Sequence, residues 1–210
     1  MHLHAEMLEE ICSDARGVDA KVLEAVVVLA VEIAREGREG RKIGTLFVVG
    51  DSEEVMRRSR PLILDPLAPH PESARGVFGP DARETVKELA QLDGAFVVSG
   101  SGIFVSATRY MDAVSHDLKV PLGLGGRHMA AASITKTTGA VAVVVSESSM
   151  VRVFDDGALV AEIVPQLWML DRHGAHPHAH PGLPPEDGDS RRSAGHGWLD
   201  ESLPLMGRLA

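Results

Sequence analysis

The sequence has little cysteine, few aromatic residues and fewer basic than acidic side chains. Cys12 is the single cysteine among 210 residues, so the chain can form neither an intramolecular disulfide nor a four-cysteine zinc site. Five Phe, two Trp and one Tyr are too few for a base-stacking platform that binds single strands. The 21 basic and 30 acidic residues give a net charge of -9, which argues against nucleic acid as a partner. The net charge does not exclude a local basic pocket for a phosphate.

Long hydrophobic runs are also missing. The most apolar stretch, residues 25–34, is about half of the roughly 20 residues that a bilayer span needs, and Glu32 interrupts it. The amino terminus has no basic region followed by an apolar run, so no secretory signal is predicted. We therefore expect a soluble cytoplasmic protein with no membrane partner. The 44% hydrophobic and 24% charged residues are typical of a globular domain.

Apolar periodicity and turn residues predict a mixture of helices and strands. The run 25–31 is rich in β-branched residues, but its length and flanking charges favour a buried helix between an Asp19 N-cap and a Gly37 stop. The predicted elements, in chain order, are helices at 2–14 and 19–37, a buried strand at 44–50, a helix at 52–58, an extended segment at 61–65, a loop at 66–80, a helix at 81–91, hairpin strands at 94–99 and 103–107, irregular backbone at 108–126, a helix at 127–137, a strand at 139–146 and hairpin strands at 150–154 and 158–164.

Two hairpins supply antiparallel strand pairs, which excludes a doubly wound parallel fold. The sequence predicts an α/β domain with a mixed central β-sheet flanked by helices. We divide the chain into amino-terminal helices (1–40), a central domain (41–170) and a disordered tail rich in His and Pro (171–210). Within the tail, residues 197–206 contain apolar side chains that could dock on the body or on a partner.

Three segments could carry chemistry. The first, Asp93-Gly94-Ala95, enters a predicted strand. An Asp followed by Gly at a strand edge can expose its carboxylate while the glycine backbone lets a ligand approach closely. The same pair is also common in ordinary helix-to-strand turns, so composition alone leaves both interpretations open.

In the second segment, residues 123–131, glycines come directly before a predicted helix. Gly125 and Gly126 precede Arg127 and His128 in the first turn. Free N–H groups and the helix dipole attract an anion there, and Arg127 and His128 add donors. A cation in the first turn of a helix is unfavourable unless a negative group lies nearby. The segment is therefore interpreted either as a phosphate site or as a helix N-terminus with a solvent-exposed Arg, and the sequence favours neither.

The third segment places Ser146 and Glu147 at the carboxyl end of the strand 139–146. A hydroxyl and a carboxylate there could hold a phosphate and a metal, although a polar turn into the next strand is the simpler alternative. The histidines of the tail, between positions 173 and 180, could bind nickel or zinc weakly.

Taken together, these segments resemble the diadenylate cyclase (DAC) domain, over about Thr45 to Ile163. Asp93-Gly94-Ala95 is similar to the family's DGA motif, and Arg127-His128 to the first two residues of its RHR motif. The segment 107–112, which contains Tyr110, is similar to the family's segment that lines the adenine-binding pocket. Two positions depart from the pattern, because Met129 replaces the third motif residue and Gly126 replaces a common threonine. The sequence looks closest to the archaeal-type branch.

The resemblance implies that two ATP molecules are joined into cyclic di-AMP with release of two pyrophosphates. Asp93 would hold a divalent metal, magnesium or manganese with cobalt as an alternative, and would help activate a ribose 3′-hydroxyl; Glu147 would be a second metal contact. Arg127 and His128 would bind the triphosphate and favour the departure of pyrophosphate. Ser146 and the backbone amides at Gly125 and Gly126 would also bind the phosphates. The family pairs two domains face to face, which predicts an isologous homodimer or a higher homo-oligomer.

Two other functions compete with a cyclase. A catalytically inactive sensor on the same fold would bind ATP or cyclic di-AMP, and Met129 and Gly126 favour it. Turnover by the purified protein distinguishes these two functions. A metal-storage or chaperone protein would use the histidine-rich tail, and truncation at residue 171 tests it because a cyclase should survive that truncation.

Overall fold

The computed structural model describes residues 17–112, 118, 120–121 and 123–172. The predicted helix at 2–14 and the tail beyond residue 172 lie outside the described residues. The helices are α1 (Ala20–Glu36), α2 (Ser52–Arg57), α3 (Pro80–Leu89), α4 (Gly126–Thr137) and α5 (Pro165–Arg172), with a 3₁₀ turn at Glu72–Ala74. The strands are β1 (Thr45–Val49), β2 (Ser59–Pro61), β3 (Ala95–Val98), β4 (Phe104–Met111), β5 (Val141–Val145), β6 (Val151–Asp155) and β7 (Ala158–Ile163).

Helix α1 begins and ends as its sequence predicts. The Asp19 carboxylate accepts a hydrogen bond from the Lys21 N–H at 2.8 Å, which satisfies one free donor of the first turn. Gly37 ends the helix at a φ of 59°, and its N–H donates to the Ile33 carbonyl. Because the β-branched run between these caps is buried against the sheet, packing outweighs its strand propensity. The described helices include none that is long and apolar enough to cross a bilayer.

The seven strands form one sheet in the order β2-β4-β3-β1-β5-β6-β7. Strand β1 lies at the centre, parallel to β3 and antiparallel to β5. The other pairings are antiparallel, and both predicted hairpins, β3–β4 and β6–β7, are present. The predicted mixed sheet flanked by helices is therefore confirmed.

Alternating side chains of the central strands fill a core on each face of the sheet. Phe47 and Val49 face the side covered by α1, α3 and α5, where Phe47 stacks on Phe96 at 5.1 Å between ring centroids. Leu46 and Val48 face the opposite side, where α4 packs. Burying each such side chain contributes about 1.5–3 kcal/mol, so the core on the α4 side fixes that helix against β1 and β5.

Two predicted segments differ from the structure, and one helix lies where none is predicted. Residues 108–111 continue β4, and the expectation of irregular backbone there is wrong because these residues pair with β3 and β2. The expected extended segment at 61–65 is displaced, since β2 ends at Pro61 on the edge of the sheet, a position where proline costs no ladder hydrogen bond. Helix α5 was not predicted. Its Trp168 is buried in the core on the α1 side.

Candidate active site

The Asp93-Gly94 turn brings a carboxylate to the start of β3. The Asp93 side chain is 83% exposed. Gly94 has a φ of 105°, and a Cβ added there would lie 2.6 Å from the Thr108 carbonyl carbon and 2.8 Å from the Arg109 nitrogen. The turn therefore requires glycine, both for its backbone conformation and for the close approach of β4.

Strand β4 is irregular where it meets this turn. Thr108 has a φ of 54°, which is rare for a β-branched residue, and the register with β3 shifts between Ala95 and Val97. Such a bulge bends a strand and changes the direction of its side chains. Arg109 is consequently buried, and its guanidinium donates to the Ser59 hydroxyl at 2.8 Å and the Ser59 carbonyl at 2.6 Å. Tyr110 stays half-exposed.

Arg127 lies in the first turn of α4, which begins after Gly125 as N-cap. Its Nη2 lies 3.5 Å from the Asp93 carboxylate and its Nη1 lies 3.2 Å from the Glu147 carboxylate. A Cβ at Gly44 would lie 2.8 Å from Arg127 Nη1, so the glycine before β1 leaves space for the guanidinium. The two carboxylates account for a cation at a helix N-terminus, where the dipole alone disfavours it.

A first cavity of about 600 Å³ lies between β4 and α4. Most of its lining side chains are apolar, and Asp93, Arg109 and Tyr110 add polar groups. Its volume and composition are typical of a small-molecule site. The lining residues are Leu46, Leu62, Asp93, Gly94, Ala95, Arg109, Tyr110, Met111, Leu118, Gly126, Arg127, Met129, Ala130 and Ser133.

A second cavity of about 440 Å³ lies at the N-terminus of α4 and the carboxyl end of β5. It is more polar, and Gly126 and Arg127 line both cavities. Glycine N–H groups, a helix dipole and arginine together favour an anion here. The lining residues are Gly123, Leu124, Gly125, Gly126, Arg127, His128, Val144, Val145, Ser146, Glu147, Ser148 and Arg152.

His128 is 7% exposed and packs edge-on against Phe154, at 6.0 Å between ring centroids. Its Nε2 lies 3.3 Å from Nη1 of Arg152 on β6. Burial lowers the pKa of His128 below its ordinary value, and the positive charge of Arg152 lowers it further. The imidazole is therefore neutral at pH 7.

Ser146 begins a tight turn between β5 and β6. Its carbonyl accepts from the Ser149 N–H at 2.8 Å, and its hydroxyl lies 2.6 Å from the Ser148 hydroxyl. The polar-turn interpretation of this segment is correct as local structure. The same turn places Ser146 and Glu147 on the second cavity, so the two interpretations are compatible.

The structure brings the predicted site residues into two adjoining groups. Asp93, Gly94, Ala95 and Tyr110 line the first cavity. Gly125, His128, Ser146 and Glu147 line the second, and Gly126 and Arg127 line both. Sequence reasoning included Arg109 in the segment 107–112 without singling it out, and it missed Arg152, Gly44 and Ser133. Gly44 alone had a local signal, since it bounds a predicted strand; the others are recognisable only from contacts between distant segments.

The carboxylates at this site suit a divalent metal whose remaining ligands come from a bound substrate. Among the described residues, no three His, Cys, Asp or Glu side chains are grouped to form a protein cage for a metal. Asp93 and Glu147 are exposed oxygen donors on opposite sides of Arg127. Magnesium and manganese accept such a donor set, in which one or two carboxylates act together with phosphate oxygens of a nucleotide.

Comparison with known proteins identifies the class to which this fold and site belong. Residues 32–159, more than half of the chain, match the DAC family, described as the DisA bacterial checkpoint controller nucleotide-binding domain. The chain belongs to this family, and the resemblance found in the sequence is confirmed.

Two curated relatives are both named diadenylate cyclase. The protein from Methanocaldococcus jannaschii is 45% identical over 170 residues, which cover 80% of this chain and 54% of the relative. The protein from Haloferax volcanii is 42% identical over 151 residues, which cover 71% of this chain and 55% of the relative. This chain thus spans about half the length of the curated relatives it matches.

Among solved structures, DacA from Staphylococcus aureus matches with a TM-score of 0.45 and 23% sequence identity. The match covers 73% of this chain and 95% of DacA.

Proposed function

We propose that this chain is a diadenylate cyclase that condenses two ATP molecules into cyclic di-AMP and two pyrophosphates. The observation that carries the proposal is the meeting of an apolar and an anion-favouring cavity at Arg127, beside the exposed carboxylate of Asp93. This arrangement suits a nucleotide whose base and phosphates need different surroundings. The names of the two archaeal relatives support the same activity.

The first cavity suits the base and ribose. Its apolar side chains, among them Leu46 and Met111, would exclude water from the rings of adenine. Tyr110 is half-exposed at the cavity, and Arg60 lies 4.7 Å from the centroid of its ring, which restrains the tyrosine. We propose that Tyr110 lies against the adenine, as the resemblance implies.

The second cavity suits the triphosphate. The N–H groups at Gly125 and Gly126 and the Arg127 guanidinium would bind phosphate oxygens and stabilise the charge that develops on departing pyrophosphate. His128 and Ser146 complete this cavity. In each condensation, the ribose 3′-oxygen of one ATP forms a bond to the α-phosphorus of the other, and the bond from that phosphorus to pyrophosphate breaks.

Asp93 lines the first cavity, and its carboxylate lies 3.5 Å from Nη2 of Arg127, which lines both cavities. We propose that this carboxylate accepts the proton of an incoming hydroxyl. Asp93 would also hold a divalent metal, with Glu147 as a second contact. When bound, such a metal would lower the pKa of the hydroxyl and neutralise charge at phosphorus.

The reaction needs two nucleotides, and we propose that two copies of the chain each supply one. Asp93 is exposed, and so are the apolar side chains of Leu62, Tyr110 and Met129 at the first cavity. Pairing this face with its copy in an isologous dimer would bury those side chains and bring two α-phosphates to two ribose hydroxyls.

The decisive experiment incubates the purified full chain with ATP and either Mg²⁺, Mn²⁺ or Co²⁺ and identifies the product by mass spectrometry. Cyclic di-AMP and pyrophosphate in a 1:2 ratio are the expected products, by the stoichiometry of the two condensations. ATP binding with no product under any of the three metals would instead support an inactive sensor, and Met129 at the first cavity is the feature that favours it.

Replacing Arg127 by alanine should weaken ATP binding by about 1.5–3 kcal/mol, the range for a hydrogen bond to a charged group. The fold should survive, because the Arg127 ion pairs are exposed and such pairs contribute little to stability. Calorimetric titration with an unreactive ATP analogue measures the effect. The control is Arg57→Ala, which removes an exposed arginine from α2 that lines neither cavity. Unchanged affinity in the Arg127 variant would place the triphosphate elsewhere.

A further inference from the structure

The second cavity has a fixed cation that is not part of the sequence motifs. Arg152 on β6 lines this cavity, and its side chain is 13% exposed. Among the described side chains that line the cavity, Arg127 and Arg152 are the two that are positively charged at neutral pH, because His128 is neutral there. The charge of Arg152 is compensated by the Glu162 carboxylate, and the remaining N–H groups of its guanidinium, beside a helix N-terminus, can donate to an anion in the cavity.

Two neighbours hold the Arg152 side chain in place. Its Nε lies 2.6 Å from the Glu162 carboxylate, directly across the β6–β7 ladder. Its Nη1 lies 3.3 Å from His128 Nε2. Since a guanidinium only donates, the His128 Nε2 accepts, and Arg152 keeps further N–H groups for a ligand because it carries five.

His128 has little to offer a ligand directly. Its Nδ1 is buried from solvent, and its Nε2 is occupied by Arg152. A histidine held in this way affects an anion in the cavity through the arginine that it orients. Met129, the neighbouring residue, lines the first cavity and supplies no charge to the second.

We infer that Arg152 is a second polyphosphate-binding residue of this chain, and that His128 and Glu162 are its positioning residues. The inference deepens the proposed function, in which the polyphosphate is the triphosphate of ATP. It assigns to β6 and β7 a part of the phosphate binding that the motif residues on α4 do not supply. Arg152 would hold phosphate oxygens opposite Arg127, across the second cavity.

The test titrates the full chain by calorimetry with two probes, inorganic triphosphate and adenosine. Arg152→Met should weaken triphosphate binding about 10- to 100-fold, the equivalent of one lost hydrogen bond between charged groups, and leave adenosine binding unchanged. Arg57→Met is the matched control, because Arg57 is exposed on α2 and lines neither cavity. It should bind both probes as the original chain does.

Further variants keep the test informative if Arg152→Met unfolds. Arg152→Lys retains the charge and should keep most of the triphosphate affinity, with its folding checked by thermal unfolding. His128→Gln should weaken triphosphate binding less than Arg152→Met does. In the double variant the loss should equal that of Arg152→Met alone, because a positioning residue has no effect once the residue it positions is gone.

Several results would overturn the inference. They are unchanged triphosphate affinity in Arg152→Met, equal losses for adenosine and triphosphate, and a chain that binds no triphosphate at all. Additive losses in the double variant would show that His128 contacts the anion itself. A chain that binds triphosphate through Arg152 but makes no cyclic di-AMP would refute the cyclase and leave the assignment of Arg152 standing.

Discussion

Replacing Asp93 by asparagine is expected to abolish formation of cyclic di-AMP, with a loss of at least about 1,000-fold from the removal of a general base and metal ligand. Asparagine keeps the size of the side chain but can neither accept a proton at neutral pH nor hold a divalent metal with a full negative charge. The measurement is the initial rate of product formation, quantified by mass spectrometry at saturating ATP.

The same variant should keep its fold and part of its affinity for ATP. The Asp93 side chain is 83% exposed, and its ion pair with Arg127 is 3.5 Å long, so its loss costs at most about 1 kcal/mol. Asp156→Asn is the matched control, since Asp156 is an exposed aspartate in the β6–β7 turn, paired with Lys136. Product formation at the original rate in Asp93→Asn would remove this carboxylate from the mechanism.

Gly94→Ala should destabilise the protein by about 3 kcal/mol or more, which places it among the most damaging single substitutions. The added methyl group would lie within 2.8 Å of backbone atoms of Thr108 and Arg109, and the φ of 105° disfavours any residue with a Cβ. Since the clashing atoms are backbone, relief requires β3 and β4 to separate. The measurement is the free energy of unfolding in urea.

Gly76→Ala provides the comparison for this prediction. A Cβ at Gly76 meets nothing within 4 Å, and its backbone is not in the left-handed region. Its free energy of unfolding should change by less than about 1 kcal/mol, since it lacks both strain and clash. Equal stabilities of the two variants would show that β4 relaxes around residue 94 without cost.

The sequence predicted those parts of the fold whose signals are local. The caps of α1 and the glycine and Asp-Gly turns of the two hairpins are set by neighbouring residues, and the structure has them. The extension of β4 to Met111 has no such signal. Residues 108–111 do not alternate in polarity, because a bulge at Thr108 interrupts the period, and their strand conformation depends on pairing with β2 and β3.

The residues of the candidate site also differ in whether a local sequence signal marks them. Asp93 and Arg127 were recognisable from glycines beside them, which signal close backbone approach or a helix start. Their contact at 3.5 Å joins two segments far apart in the chain, and only the fold shows it. The burial of His128 and its contact with Arg152 were equally hidden, since His128 lies beside an exposed Met129 and gives no local sign of facing the core.

The central position of β1 has a consequence for how the protein folds. Strands β2, β3 and β4 form one antiparallel set and β5, β6 and β7 another, and β1 joins them through one pairing on each side. The pairings β3–β4, β5–β6 and β6–β7 join neighbouring segments and can form early, whereas β2–β4 and the two pairings of β1 close long loops and are slow. We therefore expect the docking of the two sets on β1 to limit the folding rate.

Because the first set contributes Asp93 and Tyr110 and the second contributes Glu147 and Arg152, neither half-folded intermediate contains a nucleotide site. A nascent or partly unfolded chain would then neither sequester ATP nor react with it. Nucleotide binding would report the completed sheet, and ATP would slow global unfolding more than the opening of either hairpin.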